Sequence, residues 1–93
     1  MPRKSLAEQF YEDEEEQSED NQSWLLLYDF KDVHPHLNFW TNLRRLMSLD
    51  GESSLIQYSA LHTNRRRIAM AAEKLARYYG AETEVFSGAR IEH

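Results

Sequence analysis

The residues best suited to chemistry in this chain of 93 residues are its arginines. Arg65, Arg66 and Arg67 stand at the start of a helical pattern, where cations oppose the helix macrodipole by about 0.3–1 kcal/mol each. A sequence that breaks a local rule at three successive positions points to a ligand, and forked guanidinium groups beside the N–H groups of a helix start suit phosphate. The plainer reading is a solvated helix start whose arginines reach back to nearby carboxylates. Arg44 and Arg45 form a second basic pair. Asp29 closes an apolar run, at the strand end where sheet proteins place functional carboxylates; an aspartate there equally caps the following loop. Asp32 follows three residues on. His34, His36 and His62 could serve in metal ligation or proton transfer, but without partners at ligand spacing they read as exposed polar residues.

Other chemistries have no residues to carry them. The chain has no cysteine, which removes disulfides, thiolate nucleophiles and cysteine zinc sites together and favours a reducing setting. Its three glycines form no phosphate-cradling loop, and no Ser-His-Asp set or paired-carboxylate motif is present. The longest apolar run, Trp24 to Tyr28, falls far short of the roughly 20 residues that span a bilayer. The first residues lack the apolar core of a signal peptide. A cytoplasmic protein without a membrane partner is expected.

Charge divides the chain. Residues 1–22 set Arg3 and Lys4 against Glu8, Glu12, Asp13, Glu14, Glu15, Glu16, Glu19 and Asp20, whereas residues 23–93 are nearly balanced. A run such as Glu12–Glu16 repels itself and has nothing to bury, so 1–22 is expected as a disordered acidic extension. Leu6, Phe10 and Tyr11 leave room for one short amphipathic turn. The extension reads either as a solubilising segment or as a cover that folds back on the arginines.

The elements that must position these residues occupy 23–93, a single domain. Ser23–Tyr28 is a nearly continuous apolar run ending at Asp29, the pattern of a strand buried on both faces. Lys31–His36, with Pro35, forms a loop. Asn38 is an N-cap candidate for a helix striped by Phe39, Trp40, Leu43, Leu46 and Met47, stopping near Asp50-Gly51. Leu55–His62 reads as a second strand. Thr63 or Asn64 then caps a second helix, striped by Ile68, Ala71, Ala72, Leu75, Tyr78 and Tyr79 and closed by Gly80. Ala81–Ile91 is a third strand with a bulge or bend at Gly88. Trp24, Tyr28, Phe39, Trp40, Tyr58, Tyr78, Tyr79 and Phe86 suit core and interface packing, with base stacking as the rival role. The order strand-helix-strand-helix-strand lays two helices on one face of a small sheet, and the uncovered face suits dimerisation.

A first strand ending in Tyr28-Asp29, a helix ending at Gly51, the stretch Ile56-Gln57-Tyr58-Ser59-Ala60-Leu61, and a second helix leading to a last strand resemble the Cas2 family of CRISPR-associated proteins. The likeness runs from about Trp24 to Phe86. It implies an α+β, ferredoxin-like sandwich acting as a homodimer, several members of the family being metal-dependent nucleases. With the Cas1 integrase, family members also form the complex that captures foreign DNA. By this resemblance Asp29 matches the family aspartate, which is paired across the dimer axis, and two copies would hold Mg²⁺ to activate water for phosphodiester attack. Arg44 and Arg45 fall where basic residues of the first helix would lie.

The sequence therefore leads to a Cas2-like protein that binds duplex DNA or RNA through Arg44, Arg45, Arg65, Arg66 and Arg67. A metal-dependent endonuclease activity centred on Asp29 and a Cas1-type integrase partner accompany that expectation. The competing expectation is a non-catalytic, dimeric protein-interaction module with an acidic docking tail.

Overall fold

The computed structural model describes residues 4–14, 22–31, 37–49, 53–57 and 59–89. The chain runs α1 (Leu6–Asp13), β1 (Gln22–Asp29), α2 (Leu37–Ser48), β2 (Ser53–Gln57), β3 (Ala60–Thr63), α3 (Arg66–Tyr78) and β4 (Glu82–Ala89). It is a small α+β domain with an antiparallel sheet of four strands, in the order β2-β3-β1-β4. The apolar run at Trp24–Tyr28 becomes β1, hydrogen-bonded on both sides, to β3 and to β4.

Pleating decides what β1 buries. Leu26 and Tyr28 face the helices and are buried, together with Leu61 of β3, whereas Leu25 and Leu27 point the other way and are half-buried. The expectation of a strand buried on both faces is corrected accordingly. On the helix side the core joins Leu26, Tyr28, Phe30 and Leu61 to Phe39, Leu43 and Leu46 of α2 and Ile68, Ala71, Ala72, Leu75 and Ala76 of α3. Tyr28, Phe30, Phe39, Trp40 and Tyr79 meet edge to face within it, the geometry that ring quadrupoles prefer. Tyr78 and Phe86 are exposed instead, and Tyr58 lies outside the described residues.

Four local expectations change. Leu55–His62 is a hairpin rather than one strand: β2 and β3 pair with Leu55 opposite Leu61, both turned towards the core, and the register shifts between Leu55 and Gln57. The reversal is tied down where the Ser59 carbonyl accepts the Tyr28 N–H at 3.0 Å. Gly88 forms no bulge, since β1 and β4 stay in register from Gln22 opposite Ala89 to Asp29 opposite Glu82. The N-cap of α3 is Arg65, not Thr63 or Asn64. Thr63 is fully buried and its hydroxyl is engaged by Ser53 Oγ at 2.9 Å and by the Arg65 N–H at 3.1 Å. Similarly, Asn38 sits within α2, which begins at Leu37.

Gly80 ends α3 as its sequence position implies. Its φ of 98° is the left-handed conformation that favours glycine, and the N–H groups of Gly80 and Ala81 close back on the carbonyls of Arg77 and Ala76, both at 3.0 Å.

The acidic extension leaves room for one amphipathic turn at Leu6, Phe10 and Tyr11, and the structure makes Leu6–Asp13 a helix docked on the fold. Ser5 caps it, its hydroxyl accepting the Glu8 N–H at 3.2 Å and donating to Glu8 Oε1 at 3.1 Å. Ala7 is fully buried, Leu6, Phe10 and Tyr11 pack on the core, and the Ala7 N–H donates to Asn42 Oδ1 of α2 at 3.1 Å. The contacts of α1 are with α2 and α3, so it lies on the helical layer. Residues 15–21 lie outside the described residues.

Candidate functional site

The start of α3 carries charge in an unusual arrangement. Arg65 adopts extended dihedrals at the N-cap and supplies no side-chain cap, Arg66 and Arg67 follow in the first turn, and that turn contains no acidic residue. The first N–H groups of a helix have no intrahelical acceptor and carry the positive end of its dipole, so a helix start favours negative charge, and here the sequence places cations instead. Arg65 is exposed and Arg66 half-buried.

Arg67 has a different occupation. Its Nε donates to the Tyr11 carbonyl at 2.7 Å, and its guanidinium carbon sits 3.9 Å from the centroid of the Tyr11 ring. A cation placed at the carbonyl end of α1 complements that helix's dipole, and the ring face adds a cation–π contact. Arg45, in the last turn of α2, reaches Glu8 Oε1 at 3.4 Å. Lys74 of α3, which the sequence did not single out, pairs with Glu14 at 2.9 Å. Arg44 is exposed and lines a cleft of about 320 Å³ with Trp40, Leu43 and Leu55. The five arginines thus divide: Arg45 and Arg67 converge on α1, where Glu8 and Tyr11 stand one turn apart, while Arg65 and Arg66 belong to the start of α3 and Arg44 to the flank of α2. No local sequence signal marks Lys74, because its partner lies 60 positions away.

Asp29 ends β1, exposed, with Oδ1 accepting the Lys31 N–H at 2.8 Å. Lys31 has a φ of 42°, a left-handed conformation that this side-chain acceptor supports. Opposite Asp29 on β4 stands Glu82, whose Oε2 is 2.8 Å from Lys31 Nζ. That pairing raises the Lys31 pKa above its ordinary value. Asp29, Glu82 and Glu84 border a cavity of about 550 Å³, with Leu27, Gln57 and Ser59.

Mg²⁺ demands near-octahedral oxygen coordination. Asp29 has one oxygen outside its turn, Glu82 is committed to Lys31, and among the described residues no group of three or more carboxylates or imidazoles is placed to hold a metal. His62 is half-buried on the uncovered sheet face opposite Leu25; Asp32, His34 and His36 lie outside the described residues.

Tyr28 and Trp24 are unlike the other polar side chains of the sheet. The Tyr28 hydroxyl and Trp24 Nε1 are buried without a hydrogen-bond partner, and burial pushes the Tyr28 phenol up to about 12. Tyr28 is packed among Phe30, Phe39 and Trp40, on the opposite side of the sheet from the Asp29 carboxylate. It is a core residue.

No protein-family model, curated protein or solved structure matches this chain. Among the described residues no helix is long and apolar enough to cross a membrane. What fold and site together define is a small α+β domain with a cationic, uncapped helix start and an acidic helix laid across the neighbouring cations.

Proposed function

We propose that this chain is a Cas2-like protein that binds double-stranded nucleic acid, docking phosphates on Arg65, Arg66 and Arg44 with little sequence preference. The observation that carries the reading is the start of α3: an arginine N-cap without a side-chain cap, two further arginines and no acid in the first turn. Such a start costs helix stability and is repaid by a bound anion. The succession β1-α2-β2-β3-α3-β4 with sheet order β2-β3-β1-β4 supports the ferredoxin-like part of the resemblance. The uncovered sheet face, with Leu25 and Leu27 half-buried and Phe86 exposed, supports a homodimer. A Mg²⁺-dependent endonuclease activity then requires Asp29 from both copies, and a Cas1-type integrase and a cytoplasmic setting belong to the same reading.

The test is fluorescence anisotropy of a labelled duplex across a salt series, with the intact chain and with Arg65→Ala/Arg66→Ala. Each phosphate contact contributes about 0.9 to the slope of log K against log salt, so the double variant flattens it by about 1.8. The reading is overturned by a slope indifferent to the two arginines. Absence of binding at low salt, both in the intact chain and in a Glu8→Gln/Glu14→Gln variant, overturns it equally.

A further inference from the structure

Three cations from two helices turn towards one short acidic helix. Glu8 takes Arg45 at 3.4 Å, the Tyr11 carbonyl takes Arg67 at 2.7 Å, and Glu14, the C-cap residue, takes Lys74 at 2.9 Å. The acceptors are two carboxylates and a carbonyl at the negative end of a helix dipole, which are chemically what a row of phosphate oxygens presents. Beyond α1 the sequence adds Glu15, Glu16, Glu19 and Asp20.

We infer that α1 is an internal competitor for nucleic acid: docked, it withholds Arg45, Arg67 and Lys74 from phosphate, and duplex binding and α1 docking oppose each other. The inference rests on the nucleic-acid reading and adds Arg45, Arg67 and Lys74 to the cations that meet phosphate once α1 leaves them. Two features of α1 make it displaceable. Its eight residues are too few to stay helical in isolation, so helix formation and docking are one equilibrium. Its side chains other than Ala7 are only half-buried or exposed, in contrast to α3, which buries Ile68, Ala69, Ala71, Ala72, Leu75 and Ala76. A ligand that binds only the undocked state shifts that equilibrium, and by reciprocity loosening α1 strengthens the ligand.

The experiment compares the intact chain with Glu8→Gln/Glu14→Gln, which removes the two anionic contacts and keeps the apolar packing. Duplex affinity is read by anisotropy over a salt series and α1 docking by hydrogen exchange of its amides, which needs no nucleic acid. Release of Arg45 and Lys74 adds two phosphate contacts, steepening the salt slope by about 1.8 and enlarging the affinity loss between about 50 and 200 mM salt roughly tenfold. Saturating duplex speeds exchange of the α1 amides in the intact chain. Binding by both proteins with the same affinity and slope overturns the inference and leaves the nucleic-acid reading standing. Unchanged α1 exchange at saturating duplex does the same. Binding by neither protein removes the reading and the inference with it.

Discussion

Replacing Arg67 by alanine measures how firmly α1 is held on the fold. In the folded chain Arg67 Nε donates to the Tyr11 carbonyl at 2.7 Å and the guanidinium lies over the Tyr11 ring at 3.9 Å. A hydrogen bond from a charged donor is worth about 1.5–3 kcal/mol and a cation–π contact at a partly exposed site about 0.5–1 kcal/mol. The side chain is only half-buried, so the lower ends apply, and the loss is about 2 kcal/mol. That loss falls on the docking of α1, since the sheet and α3 keep their apolar contacts with each other. About 2 kcal/mol corresponds to roughly a thirtyfold faster exchange of the α1 amides, read by hydrogen exchange, while amides of β1 and the interior of α3 change little. Arg67→Lys falls between, keeping a charge but losing the planar fork. Exchange of α1 unchanged within twofold in Arg67→Ala would refute the reasoning, and so would equal acceleration in β1, which would make Arg67 a residue of global stability.

Two further outcomes follow from the sheet. Tyr28→Phe removes a buried hydroxyl with no partner, so the variant is as stable as the parent or more so by about 1 kcal/mol in urea unfolding. The phenol's value of about 12 in the folded chain stands above the ordinary 10.0; the group therefore gives stability no pH dependence below pH 10, and stability falls as pH climbs from 10 towards 12, where the unfolded chain ionises first. Tyr28→Phe abolishes that alkaline decline, and a variant that keeps it assigns the decline to another group. Asp29→Asn retains an oxygen for the Lys31 N–H and leaves stability nearly unchanged, whereas Asp29→Ala strips the turn of its acceptor and costs about 1 kcal/mol; equal stability of the two would show that the turn does not need the side chain.

The periodic elements were legible because their signals are local. Ile68, Ala71, Ala72 and Leu75 recur at helical spacing and all are buried, and Gly80 stops the helix with positive φ. The hairpin was not legible. Leu55–His62 is β-prone throughout, and Tyr58-Ser59 carries none of the Asn-Gly or Gly-X signals of a tight turn. What bends the chain is tertiary: Leu55 and Leu61 are both drawn to the helix side, and the Tyr28 N–H takes the Ser59 carbonyl. The first helix was legible only as a turn at Leu6, Phe10 and Tyr11. Over residues 1–22 acid dominates, yet Ser5 and Glu8 begin a capped helix, and the groups that hold it, Asn42, Arg45, Arg67 and Lys74, lie 35 to 60 positions further on.

The candidate site divides along the same line. Three consecutive arginines look in the sequence like one signal, but helix geometry sends them to different tasks. Arg67, inside the first turn, projects onto α1 and finds an acceptor and a ring, so its place in the sequence is explained without any ligand. Arg65 and Arg66 stand before and at the first helical residue of a turn that has neither acid nor side-chain cap. For these two the first turn supplies no carboxylate, and phosphate docking there is what the salt series on Arg65→Ala/Arg66→Ala tests. The rule broken in the sequence is therefore answered inside the fold by α1 at Arg67, whereas phosphate at Arg65 and Arg66 is the proposal, and the paired variants at Arg67 and at Arg65/Arg66 measure the two separately.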